Sequence, residues 1–324
     1  MVPRVSHHER IPSFSCSRVR DPRQRRLCFS RSAHGRSFAL SKPSPSTEAA
    51  AVVFSFALKS SAWVRSVSRA DALCEQRSIF VLHVNQEWAG PGAFNQSALG
   101  TMHRRILLNP ERQTVRRYTL SVLKSHVSNF ALADGRVEFS HFVFMAENVW
   151  LVRPRPEEYV RARGYSYTVG FRQASRQCIG LESAACNHAC MSKQVGAKAG
   201  WQLPAQPRSP RMSHEGAFAP RALFRAFVNE RRLSAGSASR LQTPAHKQSC
   251  SCEETLLVNW LHRHNLRTCS HPLVMRIYLN TTDLCALAAA VEHVAPVASG
   301  VYGWKAVRST AASVEARLQS CQSG

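Results

Sequence analysis

Phe130-Ala131-Leu132-Ala133-Asp134-Gly135-Arg136-Val137-Glu138-Phe139-Ser140-His141 is the stretch whose reading sets the fold. Asp134-Gly135 is the dipeptide of a type I′ hairpin turn, in which both central residues take positive φ. The apolar triplet Phe130–Leu132 precedes it, and Val137–His141 alternates apolar with polar residues as a half-buried strand does. The reading that follows is a β-hairpin centred on residues 134 and 135.

Working outward, Phe142–Met145 is continuously apolar, and Glu147-Asn148 can turn the chain into Val149–Val152. Upstream, Tyr118, Leu120 and Val122 alternate with Thr119 and Ser121. A helix through 112–127 competes, but its apolar and basic residues do not separate on a helical wheel. Downstream, Tyr165, Tyr167, Val169 and Phe171 alternate with Ser166, Thr168 and Gly170. Strands at this spacing predict an antiparallel β-meander or small barrel over 115–172.

The C-terminal third has a different period. Pro220 suits the first turn of a helix reaching Leu233, with Leu223, Phe224, Phe227 and Val228 on its apolar face. Ser251-Cys252-Glu253-Glu254 is a capping box that opens a second helix. Leu273–Leu279 reads as a strand, Asp283–Ala295 as a helix stopped by Pro296, and 310–321 as a last, weaker helix. The fold class expected is α+β, in four segments: a basic Ser/Arg-rich tail at 1–47, a β-rich region at 48–203, a Pro-rich linker at 204–219 and a mostly helical region at 220–324.

The chain has 324 residues, enough for one large domain or two ordinary ones. No run of apolar residues is long enough to cross a bilayer as a helix. Lys and Arg number 43 against 20 Asp and Glu, a formal charge of +23. The excess is spread over all parts: +8 in 1–47, +8 in 48–203 and +7 in 204–324. Such diffuse charge permits a polyanion partner, RNA among them, without marking a specific surface. Arg, Ser, Ala and Leu dominate and only 4 residues are Asp, the profile of a GC-rich reading frame. A lineage-restricted or spurious reading frame with no selected activity is therefore an alternative to any functional reading.

Residues 1–47 hold ten basic residues, ten serines and only Glu9 and Asp21 as acids. That is the composition of an organellar transit peptide, and also of a solvated, disordered tail. The placement expected is intracellular: a mitochondrion or other organelle, or else cytoplasm or nucleus. Eleven cysteines, an odd number without a signal-peptide pattern, are expected to be reduced thiols.

One strand carries a recognition signal. Arg163-Gly164-Tyr165-Ser166-Tyr167 resembles the start of the signature strand of RNA-recognition (RRM) domains. In that family the basic residue contacts phosphate and the aromatics stack on bases. The resemblance implies nucleic-acid contacts at Arg163, Tyr165 and Tyr167. It covers five residues, and Thr168 and Gly170 stand where the family wants an aliphatic and an aromatic residue. Ile79–Val84 has the look of the partner strand. Tyr165 and Tyr167 also form the only apolar face of their own strand, so cross-strand packing is the plainer reading. Arg221, Arg225 and Arg232 lie together on the helix after Pro220, a basic face for nucleic acid or solvent.

Cys250, Cys252, His262, His264, Cys269 and His271 crowd 22 residues. Helical spacing separates most of them, leaving His264, Cys269 and His271 as the only set able to converge on zinc. Cys178, Cys186, His188 and Cys190 offer too few convergent ligands. No nucleophile, phosphate-loop, dinucleotide or zinc-protease motif occurs, so no catalytic residue and no cofactor is assigned. The sequence leans towards a non-catalytic RNA-associated protein, with the unselected reading frame and a zinc-binding module as alternatives.

Overall fold

The computed structural model describes residues 50–58, 63–86, 104–112, 114–115, 121–163, 166–168, 180–183, 208–211, 213–230, 257, 260, 273–277, 279, 283–286, 288, 302–306 and 311–322. The basic tail at 1–47 lies outside them.

Four parallel strands form the heart of the protein: β1 (Ala51–Leu58), β2 (Ile79–Val84), β3 (Ile106–Leu108) and β4 (Phe139–Ala146). Their spatial order is β3-β2-β1-β4, and β9 (Ser213–Pro220) and β6 (Ser166–Thr168) extend the sheet antiparallel beyond β4. Helix α1 (Trp63–Leu73) connects β1 to β2, and α2 (Ser121–Asp134) connects β3 to β4. They cover opposite faces. Val52, Phe54, Phe56 and Leu58 of β1 pack with Val67 and Ala70 of α1, whereas Val53 packs with Leu123, Val127 and Phe130 of α2. The chain order thus reverses between β1 and β4, as in doubly wound α/β sheets.

The parallel sheet corrects the antiparallel meander expected over 115–172. Asp134-Gly135 closes a helix rather than a hairpin: Gly135 N–H donates to Ala131 O at 3.2 Å and Val137 N–H to Ala133 O at 2.9 Å. Gly135 is not among the positive-φ residues, so no type I′ turn forms. Phe139–Ala146 then pairs with the distant β1 in parallel register, Phe142 beside Val53 and Phe144 beside Ser55. Its continuous apolar run suits a strand buried on both faces. β5 (Val149–Leu151) leaves that sheet and joins β10 (Val274–Ile277) and β11 (Gly303–Ala306) in a second one, in the order β10-β11-β5.

Two helices thicken the faces. α3 (Pro156–Arg163) lays Tyr159 and Val160 on the α1 side, and α4 (Arg221–Glu230) lays Leu223, Phe224 and Phe227 on the α2 side. Phe224 stacks on Phe142 with centroids 5.1 Å apart. The second sheet continues the α1-side core through Val149, Leu151, Val274 and Tyr302. Gly216 (φ 79°) is required where β9 meets β10, since a Cβ there would come within 2.7 Å of Val274. Helix α5 (Ala311–Gln322) seats Val314 and Leu318 on Trp150, Ile277, Leu284 and Trp304.

In and beside the Pro-rich stretch 204–219 lie β8 (Arg208–Arg211, paired with β7, Gly180–Ser183) and β9. Pro220 ends a strand opposite His141, and α4 begins one residue later. The region 220–324, expected to be mostly helical, contributes strands β10 and β11 as well as α4 and α5 among its described residues.

Candidate functional site

The feature least like an ordinary core lies between β1, β2 and α2. Ser55 is the lone polar residue of the β1 sequence Val52-Val53-Phe54-Ser55-Phe56-Ala57-Leu58, and strand alternation turns it towards α2 with Val53 and Ala57. Helical spacing places His126 and Asn129 of α2 on the same side. Ser55 Oγ and His126 Nδ1 are 2.7 Å apart, and Asn129 Nδ2 donates to Ser55 Oγ at 2.9 Å. The same amide reaches the Phe56 and Val81 carbonyls at 3.1 Å, so one side chain spans two neighbouring strands.

The chain of contacts continues to the surface. Asn109, just past β3, donates from Nδ2 to Asn129 Oδ1 at 2.9 Å and to Ser128 Oγ at 2.8 Å. Ser128 Oγ donates to the exposed Glu111 at 2.7 Å, and Glu111 N–H returns to Asn109 Oδ1 at 2.9 Å. Asn85, at the end of β2, accepts Val115 N–H at 3.1 Å and donates its own N–H to Leu58 O at 3.0 Å. Three asparagines therefore sit at or beneath the carboxyl ends of the parallel strands and hold the loops there.

The His126 ring stands edge-on to Phe144 of β4, centroids 4.9 Å apart. His83 of β2 is fully buried and has its pKa lowered to about 4, chiefly by burial, with the Arg112 charge adding to the shift against a backbone hydrogen bond.

A hydroxyl on an imidazole is the arrangement that activates serine nucleophiles. Here Ser55, His126 and Asn129 all have 0% exposure, and Asn129 occupies the hydroxyl from the other side. In this conformation the seam fastens α2 to the sheet, and Ser55 Oγ faces protein on every side. Sequence reading missed it because it sought apolar periodicity in 112–127. The buried stripe of α2 is itself polar, with Ser125, His126, Ser128 and Asn129 all buried. The signal present was Ser55 alone in an apolar run.

Of the residues singled out for nucleic acid, Arg163 ends α3 and Tyr167 lies in β6, the outermost strand. Tyr165 and Arg232 lie outside the described residues, as do His264, Cys269 and His271. β2, the proposed partner of the Arg163–Tyr167 strand, matches Ile79–Val84 in extent but is separated from β6 by β1, β4 and β9.

Arg221 and Arg225 do converge, on Asp134 at the end of α2. Arg221 Nε lies 2.7 Å and Arg225 Nη2 2.6 Å from Asp134 Oδ1, and Arg221 Nη1 lies 2.6 Å from Glu138 Oε2. The Arg221 guanidinium also covers the Phe139 ring at 4.9 Å. Burial opposes ionisation of Asp134, but the hydrogen bonds from Arg225 and Arg221 prevail and hold its pKa below the ordinary value.

Three further carboxylates are held by cations in the same way. Glu75 takes two bonds of 2.8 Å from Arg161, Asp71 lies 3.1 Å from Arg105, and buried Glu215 pairs with Lys305. The described residues hold 19 Lys or Arg and 13 Asp or Glu, so most of the +23 belongs to the rest of the chain. Among the described residues no group of three or more His, Cys, Asp or Glu could hold a metal, and no helix is long and apolar enough to cross a membrane. No family model and no curated protein matches this chain.

Proposed function

We propose that the protein associates non-catalytically with polyanions, RNA foremost, through the parts of the chain more basic than its α/β body. The distribution of charge carries this reading. The described residues carry +6 of the +23, and the larger surplus lies in the rest of the chain, densest in 1–47. Arg221 and Arg225 hold Asp134 and Glu138, so they contribute little free charge to a phosphate backbone. Arg163, at the end of α3, and Tyr167, in the outermost strand, are the phosphate- and base-contacting residues of this reading.

The test is RNA binding by the full chain at increasing salt. Affinity should fall steeply between about 50 and 200 mM, as counterion release requires. Replacing Arg18, Arg20, Arg23, Arg25 and Arg26 by Gln should reduce the log–log salt slope by up to about 3.5, at about 0.7 per lost phosphate contact on a single strand. Arg221→Gln with Arg225→Gln should leave the slope unchanged. Absence of binding at low salt, or binding indifferent to salt, would overturn the proposal.

The seam under α2 supports a selected, cooperatively folding body over an unselected reading frame, because each polar side chain it buries has a partner of matching chemistry. A single cooperative urea transition is the result that reading requires.

A further inference from the structure

Cys285 and Cys321 are joined in a disulfide that spans 36 residues, against the expectation of reduced thiols. Each end sits on a helical turn beside the same apolar cluster. Cys285 follows Leu284 in a turn opened by Asp283, whose Oδ1 accepts the Ala286 N–H at 3.0 Å, and Cys321 lies in the last turn of α5. We propose that this bond is a redox-operated clasp, closed and opened by exchange with a low-molecular-weight thiol–disulfide couple of the glutathione type, and that it keeps α5 seated over Trp150 and Trp304.

The seating of α5 is thin without it. Among the described side chains of α5, Val314 is fully buried and Leu318, one turn further on, partly so. The ion pair between exposed Arg65 and half-buried Glu315 lies at the surface, so solvent weakens it. A helix of twelve residues held by so little apolar contact opens readily. Closing a 36-residue loop removes much of the freedom that opening would release. Both cysteines lie at the surface, Cys285 being exposed and Cys321 half-buried. Cys74 is the contrast: it is buried, and burial raises its thiol pKa well above the ordinary value, which suppresses the reactive thiolate.

The chemistry balances with the couple named. The Cys321 thiolate attacks one sulfur of the small disulfide, forming a mixed disulfide and expelling one small thiolate. The Cys285 thiolate then attacks the Cys321 sulfur and expels the second. The two protein thiols lose two protons and two electrons, and the small disulfide becomes two thiols. Reduction runs the same steps backwards and frees α5 to lift from the tryptophan pair.

The test uses the full chain equilibrated in oxidised or reduced glutathione buffer. Peptide mapping without reductant should recover Cys285 joined to Cys321 from the oxidised sample. Trypsin cuts after Arg317 only when α5 unfolds locally, so reduction should speed that cut at least about tenfold. Cys285→Ser should cut at the fast rate in both buffers, and Cys74→Ser should respond as the natural sequence does. The natural sequence in the two buffers tests the clasp even if Cys285→Ser does not accumulate. Absence of the linked peptides from the oxidised sample, or equal cutting rates in the two buffers, overturns the proposal.

Discussion

His83 should make this protein acid-sensitive between neutrality and pH 5. The residue is fully buried on β2, level with Ala57 of β1. Burial lowers its pKa from 6.5 to about 4, and Arg112 adds to the effect. Below pH 6.5 the unfolded chain takes up a proton that the folded chain refuses until about pH 4, so stability falls with pH across that window. At about 1.4 kcal/mol per pH unit, the loss is about 2 kcal/mol by pH 5 and about 3 kcal/mol by pH 4. With a urea slope of about 1–3 kcal/mol per molar, the midpoint should drop by about 1 M between pH 7 and 5. His83→Gln removes the titration and should flatten this limb, whatever it does to stability at pH 7. Restricting the series to pH 5 and above keeps clear of Glu75 and Asp134, whose lowered pKa values place their losses in more acid solution. If His83→Gln shows the same midpoint shift as the natural sequence, burial of this imidazole is not the source and the reasoning fails.

Gly135→Ala separates a helix end from a hairpin turn: its φ is not positive and an added Cβ meets only Ala131 O at 3.6 Å, so stability should rise by about 0.5–1 kcal/mol in urea unfolding. A loss greater than about 1 kcal/mol would restore the type I′ turn. Asn129→Leu should cost about 3 kcal/mol, because it strips a donor from Ser55 and two carbonyls and leaves the buried Asn109 amide with Ser128 Oγ as its one remaining acceptor of the two. A midpoint within error of the natural sequence would mean that the seam fastens nothing. Glu157 is buried, and burial raises its pKa above 4.5, so its ionisation lowers stability as pH rises above 4.5 and through the folded value. Glu157→Gln keeps an oxygen for Ser78 and the Glu75 N–H and should be more stable than the natural sequence at pH 7. A variant less stable at pH 7 than at pH 5, relative to the natural sequence, would contradict that sign.

The apolar runs were legible as strands, and their pairing was not. Ile79–Val84 and Phe142–Met145 stand out in the sequence, but nothing local says that each lies parallel to β1. Phe142–Met145 held a clue in its lack of alternation, since a strand with one wet face alternates and one covered on both faces does not. Asp-Gly misled because the dipeptide suits a helix end as well as a tight turn, and the helix before it hides its pattern behind buried Ser125, His126, Ser128 and Asn129. The helix after Pro220 falls within a few residues of its expected place because a proline start and an apolar face mark it, and the expected strand at Leu273–Leu279 and last helix at 310–321 also overlap β10 and α5. Ser55 and Asn129 are 74 residues apart, and only the sheet order joins them.

The place of β1 between β2 and β4 has a consequence during synthesis. β1 ends at Leu58, and its second neighbour does not begin until Phe139. At about 5–20 residues per second, a ribosome needs about 4 to 16 seconds to supply it. For that interval the edge of Val52–Leu58, fully buried once folding is complete, stays open to any nascent strand nearby. Yield in cells should therefore depend on translation speed and on chaperones that shield a half-built sheet, even for variants whose finished fold is as stable as the natural one.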